Sequence, residues 1–113
     1  MAHMFGNCKK LTSLNILNFN TELVKDIDNL FDGCNSLTTI DLSNFNTNSL
    51  TQMSSMFVNC YSLQSLDLSN FNTEKVENMN YIFTQCFSLT SLDLRNFDTS
   101  SVNSMDNLFG GHV

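Results

Sequence analysis

The chain is 113 residues long, with ten Phe, no Pro, no Trp and a net charge of −6. That is one domain's length of chain, and the acidic balance works against duplex nucleic acid or an anionic membrane as partner. The few basic residues form no stripe, no apolar run is long enough for a membrane-crossing helix, and no secretory leader is visible.

Residues 1–3 read as an expression-vector remnant and stand outside the fold argument. Residues 4–111 repeat every 26 positions, which predicts a single repeat domain with coils at residues 8–33, 34–59, 60–85 and 86–111, cut from a longer array. Cys8, Cys34, Cys60 and Cys86 mark the register, and one further step lands on His112. Nine of the ten Phe fall in two columns: Phe5, Phe31, Phe57, Phe83 and Phe109, then Phe19, Phe45, Phe71 and Phe97, with Phe87 outside. Aliphatic columns run beside them, such as Leu11, Leu37, Leu63 and Leu89, or Ile27, Met53, Met79 and Met105. Like residues on successive coils predict a continuous core in which each coil buries its neighbour.

Within a coil the elements follow in order. In residues 60–85, Leu63, Leu66 and Leu68 are spaced L-x-x-L-x-L, and Leu66 and Leu68 alternate with Ser65, Asp67 and Ser69. That period of two predicts a strand with one buried face. Asn70, Phe71, Asn72 and Thr73 turn the chain, with Phe71 plugging the bend. Val76, Met79, Ile82 and Phe83 then give a helical stripe, with Thr73 where an N-cap belongs and Glu74 in the first turn. The equivalent stretch 48–55 is richer in Ser and Thr and predicts a short helix or a 3₁₀ segment.

These motifs carry a resemblance. The run at residues 89–94, the fuller unit from Leu63 through Asn70, Phe71 and Thr73, and the closing Phe83-x-x-Cys86 resemble the BspA-like leucine-rich repeats, in particular their short PARCEL-type branch of about 25–26 residues. The resemblance implies an α/β leucine-rich-repeat solenoid of about four coils. A parallel sheet would line the concave side, with short helices or 3₁₀ segments on the convex side. It also implies an adhesive role at a cell surface or outside the cell.

Four sets of residues are candidates for function. The cysteines stand one per coil in a line, so they cannot surround a zinc ion; they are buried free thiols filling apolar space or, in the other reading, disulfides. Asp41, Asp67 and Asp93, with Asn15 in the first rung, sit among Ser65 and other hydroxyls on the expected concave face. They form a solvated hydrogen-bonded ladder, a contact surface for a ligand, or a weak Ca²⁺ site. Arg95 breaks the pattern of Ser43 and Ser69 in its column. Tyr61 and Phe87 on adjacent rungs form an aromatic patch, for contact or for packing on one another. The ladder Asn18, Asn44, Asn70 and Asn96, beside Thr21, Thr47, Thr73 and Thr99, is expected to hold backbone groups at the bends.

Catalysis has no visible apparatus: no internal histidine, no nucleophile–base pair and no phosphate loop, and no cofactor or metal is expected. The function read from the sequence is therefore a non-catalytic protein- or glycan-binding module. The alternative is a structural spacer, or a stalk segment whose open coil ends pair end to end with other copies.

Overall fold

Each coil is built from short turns, and the polar residues of the repeat make them. In the computed structural model, which describes residues 1–111, coil 3 (residues 60–85) closes a turn each time an N–H reaches back three residues. Leu63 donates to Cys60 O at 3.2 Å, Phe71 to Leu68 O at 3.0 Å, Val76 to Thr73 O at 3.0 Å and Thr84 to Tyr81 O at 3.1 Å. Between these, Asp67, Asn72 and Asn78 each accept the N–H two residues on, from Ser69, Glu74 and Asn80, at 2.9, 3.0 and 3.0 Å. A short side chain that accepts from its own backbone in this way holds a bend without any regular element.

The coils meet through the segments just before the cysteines. The N–H groups of Ser55, Phe57 and Asn59 donate to Asn80 O, Ile82 O and Thr84 O at 2.8, 3.0 and 3.0 Å. One coil on, Tyr81, Phe83 and Gln85 donate to Asp106 O, Leu108 O and Gly110 O at 2.9, 2.9 and 2.8 Å. Alternate residues can face the next coil because two columns are left-handed. Asn29, Ser55, Tyr81 and Asn107 have φ of 56, 56, 60 and 50°, and four residues further on Gly33, Asn59, Gln85 and Gly111 have φ of 75, 61, 61 and 84°. Glycine takes that conformation without strain; at Gly33 a Cβ would also stand 2.8 Å from Asn7 Oδ1.

The expected α/β leucine-rich-repeat solenoid is overturned. Among the described residues there is no helix and no named strand, only isolated parallel bridges linking Asp26, Gln52, Asn78 and Ser104 in sequence. The body is compact, 35 × 32 × 22 Å with a radius of gyration of 12.8 Å, about the value expected of a globular chain this long. Both local expectations fail for identifiable reasons. Residues 63–68 alternate as a strand should, yet only the Gln64 N–H reaches a neighbouring coil, at Thr38 O. The helical stripe at Val76, Met79 and Ile82 runs instead past the bridge residue Asn78 and into a turn at 80–85. The N–H groups of Met79, Tyr81 and Phe83 point to the next coil and cannot bond four residues back. Thr73, placed as an N-cap, turns its hydroxyl to Asp98 O of the next coil at 3.0 Å.

The core is made where columns overlap. Phe31, Phe57 and Phe83 are fully buried, and the rings of Phe5, Phe31, Phe57, Phe83 and Phe109 stack in sequence at centroid separations of 5.7, 5.5, 6.2 and 5.6 Å. Leu37, Leu63, Met53, Met56, Met79 and Ile82 fill the space around them.

Candidate functional site

The acidic ladder is first of all a set of turn acceptors. Asp41 Oδ1 takes the Ser43 N–H and Asp67 Oδ1 the Ser69 N–H, both at 2.9 Å, and Asn15 does the same for Leu17 at 3.1 Å. Hydrogen bonds from the Ser43 side chain and backbone hold the Asp41 carboxyl below its ordinary range, and Ser69 does the same for Asp67. Asp93 goes further. Arg95 grips it through Nε at 3.0 Å and Nη2 at 2.6 Å, besides its backbone N–H at 3.0 Å, and the carboxyl falls to about 2. The departure of Arg95 from its column therefore gives the last carboxylate of the ladder a cationic partner, while Asp41 and Asp67 have no ion pair among the described residues.

One oxygen of each of these two carboxylates remains outside the turn. They face an open groove of about 370 Å³ lined by Thr39, Ile40, Asp41, Ser65, Leu66, Asp67 and Ser91. A smaller hollow of about 110 Å³ lies on their other side, where Ser43, Ser69 and Asn70 contribute. The hydroxyls of Thr39, Ser65 and Ser91 have no hydrogen-bond partner among the described residues. Ser65, Asp41 and Asp67 are thus gathered at one site. Thr39 and Ser91, the equivalents of Ser65 on adjacent coils, complete it and were legible from their column. Among the described residues no group of three or more His, Cys, Asp or Glu side chains is arranged to hold a metal ion.

The other candidates lie apart. Tyr61 and Phe87 are exposed and stack at 5.7 Å with planes 6° apart; the single Tyr61 O–H is shared between Asn59 Oδ1 and Gln85 Oε1, each at 3.3 Å. All four cysteines are free. Cys34, Cys60 and Cys86 are buried, with each thiol donating at 3.2 Å to a carbonyl 29 residues earlier, at Phe5, Phe31 and Phe57. Burial pushes the Cys34 thiol up to about 11 and Cys86 to about 12, and raises Cys60 as well. Cys8 is exposed. His112, the next step of this column, lies outside the described residues.

The asparagine ladder bridges coils. Asn70 Nδ2 donates to Leu42 O, Ser43 O and Phe45 O at 3.1, 3.2 and 3.1 Å; Asn44 reaches Leu17 O and Phe19 O in the same way, and Asn96 reaches Ser69 O. Asn18, on the first coil, is exposed. The threonine ladder reaches forward: Thr73 Oγ1 donates to Asp98 O at 3.0 Å and accepts the Asp98 N–H at 2.8 Å. Of the second Phe column, Phe45 and Phe71 stack at 6.5 Å, Phe19 is tilted against Phe5 at 6.3 Å and Phe97 packs half-buried on the core. Sequence reasoning missed the left-handed columns; the signal that could have found them is Gly33, Asn59 and Gly111 in one column and Asn29 and Asn107 in the other, residue types that favour positive φ, whereas Ser55, Tyr81 and Gln85 carry none.

A protein of stacked, turn-built coils with an open acidic face is the class that this geometry defines. Over residues 1–113 the chain matches the family described as Mycoplasma protein of unknown function, DUF285, and it belongs to that family. No curated protein and no solved structure matches it. The family match replaces the resemblance to BspA-like leucine-rich repeats. That resemblance rested on the L-x-x-L-x-L run, the unit continuing through Asn70, Phe71 and Thr73, and the closing Phe83-x-x-Cys86, a pattern of side chains that leaves the backbone between them undetermined. No helix among the described residues is long and apolar enough to cross a membrane.

Proposed function

We propose that the chain is a non-catalytic binding module and that the groove between Thr39, Asp41, Ser65, Asp67 and Ser91 receives its partner. The observation that carries this reading is the pair Asp41 and Asp67. Each spends one oxygen on its own turn and keeps the other beside hydroxyls without partners, in an open groove of about 370 Å³. Such a surface suits a partner that offers hydroxyl or ammonium donors, a glycan or a basic protein segment, because carboxylates accept and cannot donate. The groove is wide and shallow, which suits an extended partner better than an enclosed small molecule. The same proposal sets the module at a cell surface or outside the cell, where glycans are met.

Asp67→Asn tests it. The amide oxygen still takes the Ser69 N–H, as Asn15 does for Leu17, so the turn is kept while the charge at the centre of the groove is removed. Screened on an array of neutral and amino-sugar glycans together with a lysine-rich peptide, the parent chain binds at least one probe and Asp67→Asn loses that binding with an unchanged melting curve. Equal binding by both, or none by the parent, overturns the reading.

A further inference from the structure

The acidic ladder already holds one cation, and the way it does so shows what its other rungs can take. Asp93 accepts the Arg95 backbone N–H at 3.0 Å and so makes its own turn. The same carboxylate still receives the Arg95 guanidinium, through Nε at 3.0 Å to both oxygens and through Nη2 at 2.6 Å. Closing the turn therefore does not use up a rung. Asp41 and Asp67 make the same turn bond, to the N–H groups of Ser43 and Ser69, but serine brings no cation with it. In the column where Arg95 stands on its coil, Ser43 and Ser69 border the hollow of about 110 Å³ beside the two carboxylates.

The spacing of these rungs is that of the coils. Equivalent rings on successive coils lie 5.5, 6.5 and 5.7 Å apart, at Phe31 and Phe57, Phe45 and Phe71, and Tyr61 and Phe87. In an extended peptide, side chains two residues apart share a face and are separated by about 6.6 Å. Adjacent side chains point to opposite faces. An extended segment laid across the coils thus brings every second side chain to a ladder carboxylate. Chemistry then selects the side chain. A guanidinium offers a carboxylate two N–H groups in a fixed fork, and an ammonium does not. Ile40 and Leu66 on the groove floor suit the apolar stem below the charge.

On the reading that the groove receives the partner, we propose that this partner is an extended protein segment with arginines at alternate positions, Arg-x-Arg. It runs along the stack and sets one guanidinium on Asp41 and the next on Asp67, each as Arg95 sits on Asp93. The hydroxyls of Thr39, Ser65 and Ser91 on the opposite wall bond its backbone, since a hydroxyl both donates and accepts. The neighbouring rungs bound the site: Asn15 carries no charge, and Asp93 is taken by Arg95. Exposed ion pairs are individually weak and screened by salt, so recognition comes from two in register.

The test is fluorescence anisotropy at low salt with labelled, unstructured serine-based peptides. They carry Arg-Ser-Arg, Lys-Ser-Lys, two adjacent arginines, or Arg-Ser-Arg-Ser-Arg, and amino-sugar oligomers complete the set. The parent chain binds the Arg-Ser-Arg peptide more tightly than the lysine peptide. It also prefers it by about two- to fivefold over adjacent arginines, which reach one rung. Ser69→Arg gives Asp67 the internal partner that Asp93 has, and weakens Arg-Ser-Arg binding with an unchanged melting curve. Arg95→Ser frees Asp93, and this variant binds the three-arginine peptide about two- to fivefold more tightly than the parent does. Equal affinity for lysine and arginine peptides, or no change in either variant, overturns the arginine assignment. Binding of the amino-sugar oligomers alone, lost in Asp67→Asn, also overturns it while leaving the groove as the site. Binding of no probe overturns both.

Discussion

Coils 2 and 3 carry the same columns as coils 1 and 4, but the inner pair buries more of them. Phe45 and Phe71 are 4% and 3% exposed, whereas Phe19 is 37% exposed. Cys34, Cys60 and Cys86 are buried and Cys8 is exposed; Thr21, Thr47 and Thr73 are buried and Thr99 is exposed. The exceptions at the ends fall on opposite sides because cysteine and asparagine reach back along the stack and threonine reaches forward. Burial in this molecule belongs to having the right neighbour, and a residue's letter alone does not secure it. Stability is accordingly a sum over coil-to-coil contacts, with the weakest terms outermost.

The largest test of that contrast is a pair of truncations. Phe57→Ala, between two stacked rings, costs about 3–5 kcal/mol; Phe19→Ala, on the open first coil, costs no more than about 2 kcal/mol. Denaturant unfolding of the two variants measures both, and equal losses would erase the distinction between inner and outer coils.

A smaller effect sharpens the comparison through pH. Burial raises Cys34 from the ordinary 9.0 to about 11 and Cys86 to about 12. In the unfolded chain these thiols ionise near 9.0, while in the folded chain they stay neutral. Their contribution is therefore whole below pH 9.0 and is lost as pH rises through about 11 and 12. The melting temperature falls across that window, and the double variant Cys34→Ala with Cys86→Ala falls less steeply. A parent curve that stays flat there would mean the thiols are open to solvent in the folded chain.

Parts of this architecture are legible in the sequence and parts are not. The 26-residue spacing of Phe31, Phe57 and Phe83 anticipates which rings meet, because stacking needs the same side chain at the same place on successive coils. The polar letters at Asn70 and Thr73 signal backbone partners for the same reason. What fills the space between them is hidden. Val76, Met79 and Ile82 are three apart whether the chain winds as a helix or passes the bridge at Asn78 into a turn, and all three side chains are buried on the path taken. Leu66 and Leu68 alternate whether or not their amides pair with a neighbour. The deciding feature, left-handed backbone at Tyr81 and Gln85, leaves no mark in residues that so seldom adopt it. The groove shows the same limit. Its residues share columns and could be grouped, but the sequence does not reveal that Asp41 and Asp67 each give one oxygen to a turn, or that Arg95 folds back on Asp93.

Amide hydrogen exchange, resolved by residue, reaches the central claim that the coils are joined through the turn segments and not through a sheet at the leucine motif. The account predicts strong protection at Ser55, Phe57 and Asn59, whose N–H groups bond the next coil, and fast exchange at Ser65, Leu66 and Asp67, which bond none among the described residues. Protection at residues 65–67 with rapid exchange at 55–59 would contradict it.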